Sequence, residues 1–119
     1  MGNLLIVLSD TPFQSERVDH ALNIAEVAID KGHEVSIFLL MDGVYNMIKT
    51  QNGNPFKLVP VNERLRDLLE KGAKVNCCKF CKELRGLVES VTLNGILASG
   101  ISFLNEAIIE ADSIISIIG

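Results

Sequence analysis

Every thiol in the chain lies in one short stretch. Cys77, Cys78 and Cys81 fall within five positions of segment 76–86, NCCKFCKELRG, beside Lys79, Lys82 and Arg85, three of the eleven basic residues. Cys78-Lys79-Phe80-Cys81 is a C-x-x-C. This spacing sets a second thiol one helical turn after the first, so one sulfur can attack and the other resolve. The attacking species is the thiolate. A helix start favours it through its free N–H groups, but by only about 0.3–1 kcal/mol, well under one pK unit. Lys79, Lys82 and Arg85 add positive charge, and the combination is expected to draw Cys78 from about 8.5 toward neutrality. Lys79 and Arg85 are the anion-stabilising candidates and Cys81 the resolving thiol. Cys77 alternates to the other side of its strand, where a cysteine packs as a small hydrophobe. An intrachain zinc site is not expected. One C-x-x-C and an adjacent cysteine leave the set short of four ligands, with no well-placed histidine. A metal shared between subunits stays open.

The cysteines need elements to position them. Segment 3–9 is a continuous apolar run ending in SDTP, which reads as a buried strand and a turn. A helix is expected from about Pro12–Glu16 to Lys31, with Val18, Leu22, Ala25 and Ile29 inward and a capping box from Thr11 to Gln14. HEVSIFLLM is a second buried strand, stopped by Asp42-Gly43. Residues 44–48 read as a short helical turn, and 49–60, with Asn52-Gly53-Asn54-Pro55, as the one mobile loop. NERLRDLLEKG is a helix capped by Asn62 and stopped by Gly72. AKVNCC is a third strand, KFCKELRG a short helix and NGILAS a fourth strand. ISFLNEAIIEA is a helix with Ile101, Leu104, Ile108 and Ala111 inward, and DSIISII a last strand. Alternating strands and helices with short connections predict an α/β fold, a three-layer α/β/α sandwich around a mostly parallel five-stranded sheet, as a single domain over 1–119.

Sites in such folds lie beyond the carboxyl ends of the strands. That rule gathers Asp10 and Thr11 after strand one, Asp42 and Gly43 after strand two, the cysteines after strand three, and Ser99 after strand four. These line the expected pocket. Asp10 and Asp42 can face one crevice as an acidic pair or simply cap turns, and Ser99 can serve as a helix N-cap. His33 falls at the opposite edge, and His20 on the outer side of its helix.

Composition narrows the partners. The chain has 119 residues and a net charge of −4, which argues against a grip on nucleic acid or on an anionic membrane. No apolar run is long enough to span a bilayer. The start MGNLLIVLSDTP lacks a basic n-region and a cleavage site, so it reads as a strand and the protein is expected to be cytoplasmic. Thiols there stay reduced, which favours redox or metal chemistry over stapling. Neither G-x-G-x-x-G nor G-x-x-x-x-G-K-[ST] is present, and no cofactor is expected.

Four segments carry a resemblance: SDTPFQSERVDHALNIA, GHEVSIFLLMDGV, GAKVNCCKFCKELRGL and LNGILASGISFLNEAIIEADSII. Together the chain resembles the DsrE/DsrF-like family of small α/β proteins over nearly its whole length. The resemblance implies an α/β/α sandwich assembled as homotrimers, hexamers or mixed hexamers, and, for some members, a sulfur-relay role. Those members carry a persulfide on a cysteine just after the third strand, eight residues before the glycine of R-G. Counted back from Gly86, that position is Cys78. Unlike the relay subunits, this chain has Cys77 and Cys81 beside it.

Two functions follow. In the first, the protein is a sulfur carrier or thiol-redox protein, of sulfurtransferase type if it is an enzyme, with sulfur donor and acceptor proteins as partners. Cys78 takes up a sulfane sulfur, and Cys81 releases it. In the second, it is a non-catalytic oligomeric module that binds a small ligand or a partner protein. That reading is motivated by apolar residues on outer faces such as Ile24 and Val27.

Overall fold

The computed structural model describes residues 2–118. Strands β1 (Asn3–Leu8), β2 (Glu34–Leu39), β3 (Lys74–Cys78), β4 (Leu97–Ser99) and β5 (Ser113–Ile117) alternate with helices α1 (Arg17–Asp30), α2 (Val61–Glu70), α3 (Lys79–Leu84) and α4 (Ile101–Glu110). The strands form one five-stranded sheet in the order β4-β3-β2-β1-β5, and every pairing is parallel. The result is the expected α/β sandwich.

Handedness distributes the helices. The chain steps from β1 to β4 in one direction and then returns across the sheet to β5. Right-handed crossovers therefore put α1, α2 and α3 on one side and α4 on the other. Strand alternation and register place Ile6, Leu8, Ile37, Leu39 and Cys77 on the three-helix side. Leu5, Val7, Phe38, Asn76 and Cys78 lie on the α4 side. The apolar strands supply both layers of the core, with Phe38, Leu22, Met47 and Leu65 among its largest fully buried side chains.

Several local expectations change. Helix α1 begins at Arg17, not in the Pro12–Glu16 stretch, because Phe13 takes a left-handed φ of 64°. Thr11 Oγ1 donates to Gln14 Oε1 at 2.6 Å within a turn, so the pair caps no helix. Helix α2 starts at Val61 with Pro60 as its extended N-cap. Asn62 lies inside the helix, where its N–H donates to Gln51 Oε1 at 3.1 Å. Gln51 also donates to the carbonyls of Asn46 and Tyr45, so it ties loop 49–60 to the fold. Gly100, not Ser99, is the N-cap of α4.

Helix α4 departs furthest from expectation. Leu104, Ala107 and Ala111 make its partly buried stripe, while Ile101 and Ile108 are exposed. Two of the three inward residues are alanines, and the bulkier isoleucines lie on the exposed sides. A ten-residue helix is about 15 Å long and 10 Å wide, whereas five strands span about 19 Å. One helix cannot cover that side. A groove of about 550 Å³ remains between sheet and helix, with Leu5, Phe38, Asn76, Leu97, Phe103 and Ala107 in its walls. It does not include Cys78 or Cys81.

Candidate functional site

Strand β3 is apolar enough to be buried through Val75, Asn76, Cys77 and Cys78. It ends where Cys78 becomes the N-cap of α3. The Cys78 sulfur accepts the backbone N–H of Cys81 at 3.4 Å, as a cap side chain does. The Cys81 sulfur in turn accepts the N–H of Met41 at 3.2 Å. Each sulfur of the C-x-x-C is thus held by a backbone amide, one from its own helix and one from the turn after β2. Helix α3 has only six residues, so these discrete amides, more than a macrodipole, provide the favourable field.

All three cysteines are free and buried. Cys78 is 3% exposed and Cys81 6%, so both thiols at this sheet edge are closed off from solvent. The turn after β2 packs over Cys81, whose sulfur lies 4.0 Å from that of Met41. Cys77 faces the three-helix side, where burial pushes its thiol up to about 11. The Cys81 thiol is also pushed up, first by burial and then by hydrogen bonding to Cys78, with the Met41 amide and the charge of Arg85 acting in the opposite direction.

The basic cluster is arranged differently from its sequence spacing. Arg85 Nε donates to Asp42 Oδ1 at 2.9 Å, and its Nη1 donates to the Cys81 carbonyl at 3.1 Å. Arg85 therefore braces the turn after β2 against α3, and its positive charge is largely met by Asp42. Lys82 pairs with Glu89 at 3.0 Å. Lys79 is exposed and makes no ion pair among the described residues.

The remaining candidates divide into two groups. Asp42 and Gly43 belong to the cysteine site. They lie in a 3-10 segment, Met41–Met47, and a Cβ on Gly43 would run into the Leu8 carbonyl, so only glycine lets this turn press onto the end of β1. Ser99 lies opposite Cys78 in the β3–β4 register and donates to the buried Asn76 Oδ1 at 3.3 Å. Asp10 and Thr11 form a separate group. The buried Asp10 carboxylate accepts from Ser15 Oγ at 2.7 Å and pairs with Arg17 at 3.7 Å. Asp10 and Asp42 thus have different partners. Asn46 links the two strand ends, donating to the carbonyls of Asp10 and Gly43 at 2.8 and 2.9 Å. His33 accepts from the Gly2 amide at the far edge.

Sequence reasoning missed Met41, Asn46 and Asn76. Met41 shows no chemical signature, because its role comes from a backbone amide. Asn76 offered one signal, a polar residue inside an apolar strand two places before Cys78.

Fold and site together define a small parallel α/β sandwich with an amide-held dithiol at the carboxyl edge of its third strand. The family model of the DsrE/DsrF-like family matches residues 2–117. The chain belongs to that family. An uncharacterized protein of Methanopyrus kandleri is 35% identical over 112 residues, covering 94% of this chain and 91% of the relative. An uncharacterized protein of Methanocaldococcus jannaschii is 33% identical over 111 residues, covering 93% and 96%. Among solved structures, the ychN protein of E. coli superposes with a TM-score of 0.88 at 22% identity, covering 98% of this chain and 99% of that one. This last likeness concerns the fold.

Proposed function

We propose that this protein is a thiol-based sulfur carrier in which Cys78 holds the transferred sulfur. The observation that carries the reading is the Cys78 sulfur in the N-cap position, accepting the Cys81 amide. A donor persulfide would be attacked at its sulfane sulfur by the Cys78 thiolate. A new S–S bond forms on Cys78, and the donor leaves as its thiolate. An acceptor thiolate then takes the same sulfur, and Cys78 is restored. Neither step needs an external oxidant. Cys81 offers an internal exit. Its thiolate attacks Cys78 Sγ, sulfide leaves, and a Cys78–Cys81 disulfide remains for a dithiol to reduce. Burial and the hydrogen bond to Cys78 raise the Cys81 thiol, which disfavours the thiolate that this exit needs.

The carrier is proposed to work as a homotrimer or homohexamer. Helix α4 is apolar on more than one side, and its Ile101, Ile108 and Ile109, the last 82% exposed, have no covering among the described residues. Such a helix belongs to an interface between copies. The same surface, with three buried thiols, favours the binding-module reading if the cysteines prove inert.

The test is incubation with a low-molecular-weight persulfide followed by intact mass. An adduct of about 32 Da on the wild type, absent from Cys78→Ser, is expected. An unloaded wild type, or an adduct that Cys78→Ser leaves in place, overturns the reading.

A further inference from the structure

A carrier must let a second thiol reach its sulfur, yet both sulfurs of the C-x-x-C are buried. We infer that Met41 is the residue that positions and covers Cys81, so that the turn it sits on is the way in. This rests on the sulfur-carrier reading.

Met41 is joined to the site in two ways. Its N–H donates to Cys81 Sγ at 3.2 Å, and its thioether sulfur lies 4.0 Å from the same atom. The rest of the side chain faces outward, 55% exposed. Met41 is thus the boundary between the thiol and solvent. Its backbone has a φ of 51°, the left-handed region that a methionine seldom adopts and that the surrounding structure must enforce.

That enforcement is visible on the residues that follow. Asp42 accepts from Arg85, which also grips the Cys81 carbonyl. Gly43 presses against the Leu8 carbonyl. The turn is therefore held at Asp42 by a partly exposed ion pair and at Gly43 by its N–H, which donates to the Leu40 carbonyl at 2.9 Å. Only the first holding is weak, because solvent screens it. Swinging Met41 outward breaks the N–H···S bond and the Arg85–Asp42 pair, relieves the left-handed backbone, and uncovers Cys81, whose N–H is bonded to the Cys78 sulfur. The incoming thiol then takes the volume that the methionine leaves.

The experiment measures alkylation of each cysteine by iodoacetamide in the folded full chain, resolved by peptide mass. Met41→Gly keeps the amide and accepts the left-handed backbone but removes the cover, so Cys81 labelling rises about tenfold or more. Met41→Leu restores the bulk without the sulfur and labels within about twofold of the wild type. Because the amide survives in Met41→Gly, the pH midpoint of Cys81 labelling stays where it is while the rate rises. A generally loosened fold would move both. Asp42→Ala, which releases Arg85, is the second variant and also labels faster. Wild-type rates in Met41→Gly and Asp42→Ala, or equal acceleration in Met41→Leu and Met41→Gly, would overturn the inference. The measurement needs no persulfide. A wild type that takes up no sulfur but shows this order of rates would sink the carrier reading and leave the role of Met41 standing.

Discussion

Alkaline unfolding tests the role of Cys77 as a buried core thiol. Cys77 is 1% exposed on the three-helix side, and burial pushes its thiol from an ordinary 9.0 to about 11, against a lowering by Lys82. The unfolded chain gives up this proton near the ordinary value, whereas the folded chain keeps it until about 11. Between those values the unfolded state binds fewer protons, so the unfolding free energy falls as pH rises. The contribution is fully present below the unfolded value and gone once pH passes the folded one. Two units at about 1.36 kcal/mol each amount to about 2.7 kcal/mol, a large share of the roughly 5–15 kcal/mol that holds a typical domain. Urea unfolding of the wild type and Cys77→Ala at intervals from about pH 8 to pH 11 measures it. The alanine variant starts lower, because it leaves a small cavity. Its stability should then fall less steeply, because it lacks the thiol whose proton the fold retains. Parallel curves for the two proteins would refute the assignment of Cys77 as a proton-holding core residue.

Two further outcomes follow from the packing. Gly43→Ala should cost about 2–3 kcal/mol in urea unfolding, because its methyl group meets a backbone carbonyl that cannot yield. It should also raise Cys81 labelling by displacing Met41, and a stability change under about 0.5 kcal/mol would contradict the close approach. Ile109→Lys lies at an exposed position, so subunit stability should stay within about 0.5 kcal/mol. The mass in solution by light scattering should drop to that of smaller species, and an unchanged assembly would remove α4 from the interface.

The layout of the fold was legible because its signals are local and repeated. The apolar runs of β1 and β2 and the Gly72 stop of α2 each pointed to the observed element. Strand alternation also put Cys77 and Cys78 on opposite sides without any coordinates. The errors fall where two weak local rules compete. Thr11 and Gln14 satisfy a capping pattern, but Phe13 in the left-handed region delays α1 by a turn. Asn62 is a good cap by type, but Pro60 already fixes an extended backbone and starts α2 earlier. For α4, apolar residues occur on several sides, so periodicity alone could not say that Leu104, Ala107 and Ala111 face the sheet.

The linear order of residues was enough to place a dithiol at the carboxyl edge of a parallel sheet, since strand periodicity and the crossover rule depend only on neighbours in the chain. Three things depended on the assembled molecule. Arg85 turns to Asp42, 43 positions away, instead of to a sulfur. Met41 supplies an amide to Cys81 from 40 positions away. The turn that carries Asp42 and Met41 packs over Cys81. Side-chain type reveals none of these, because each arises from distant backbone segments brought together by packing, and a peptide N–H is the same at every position until the fold decides where it points.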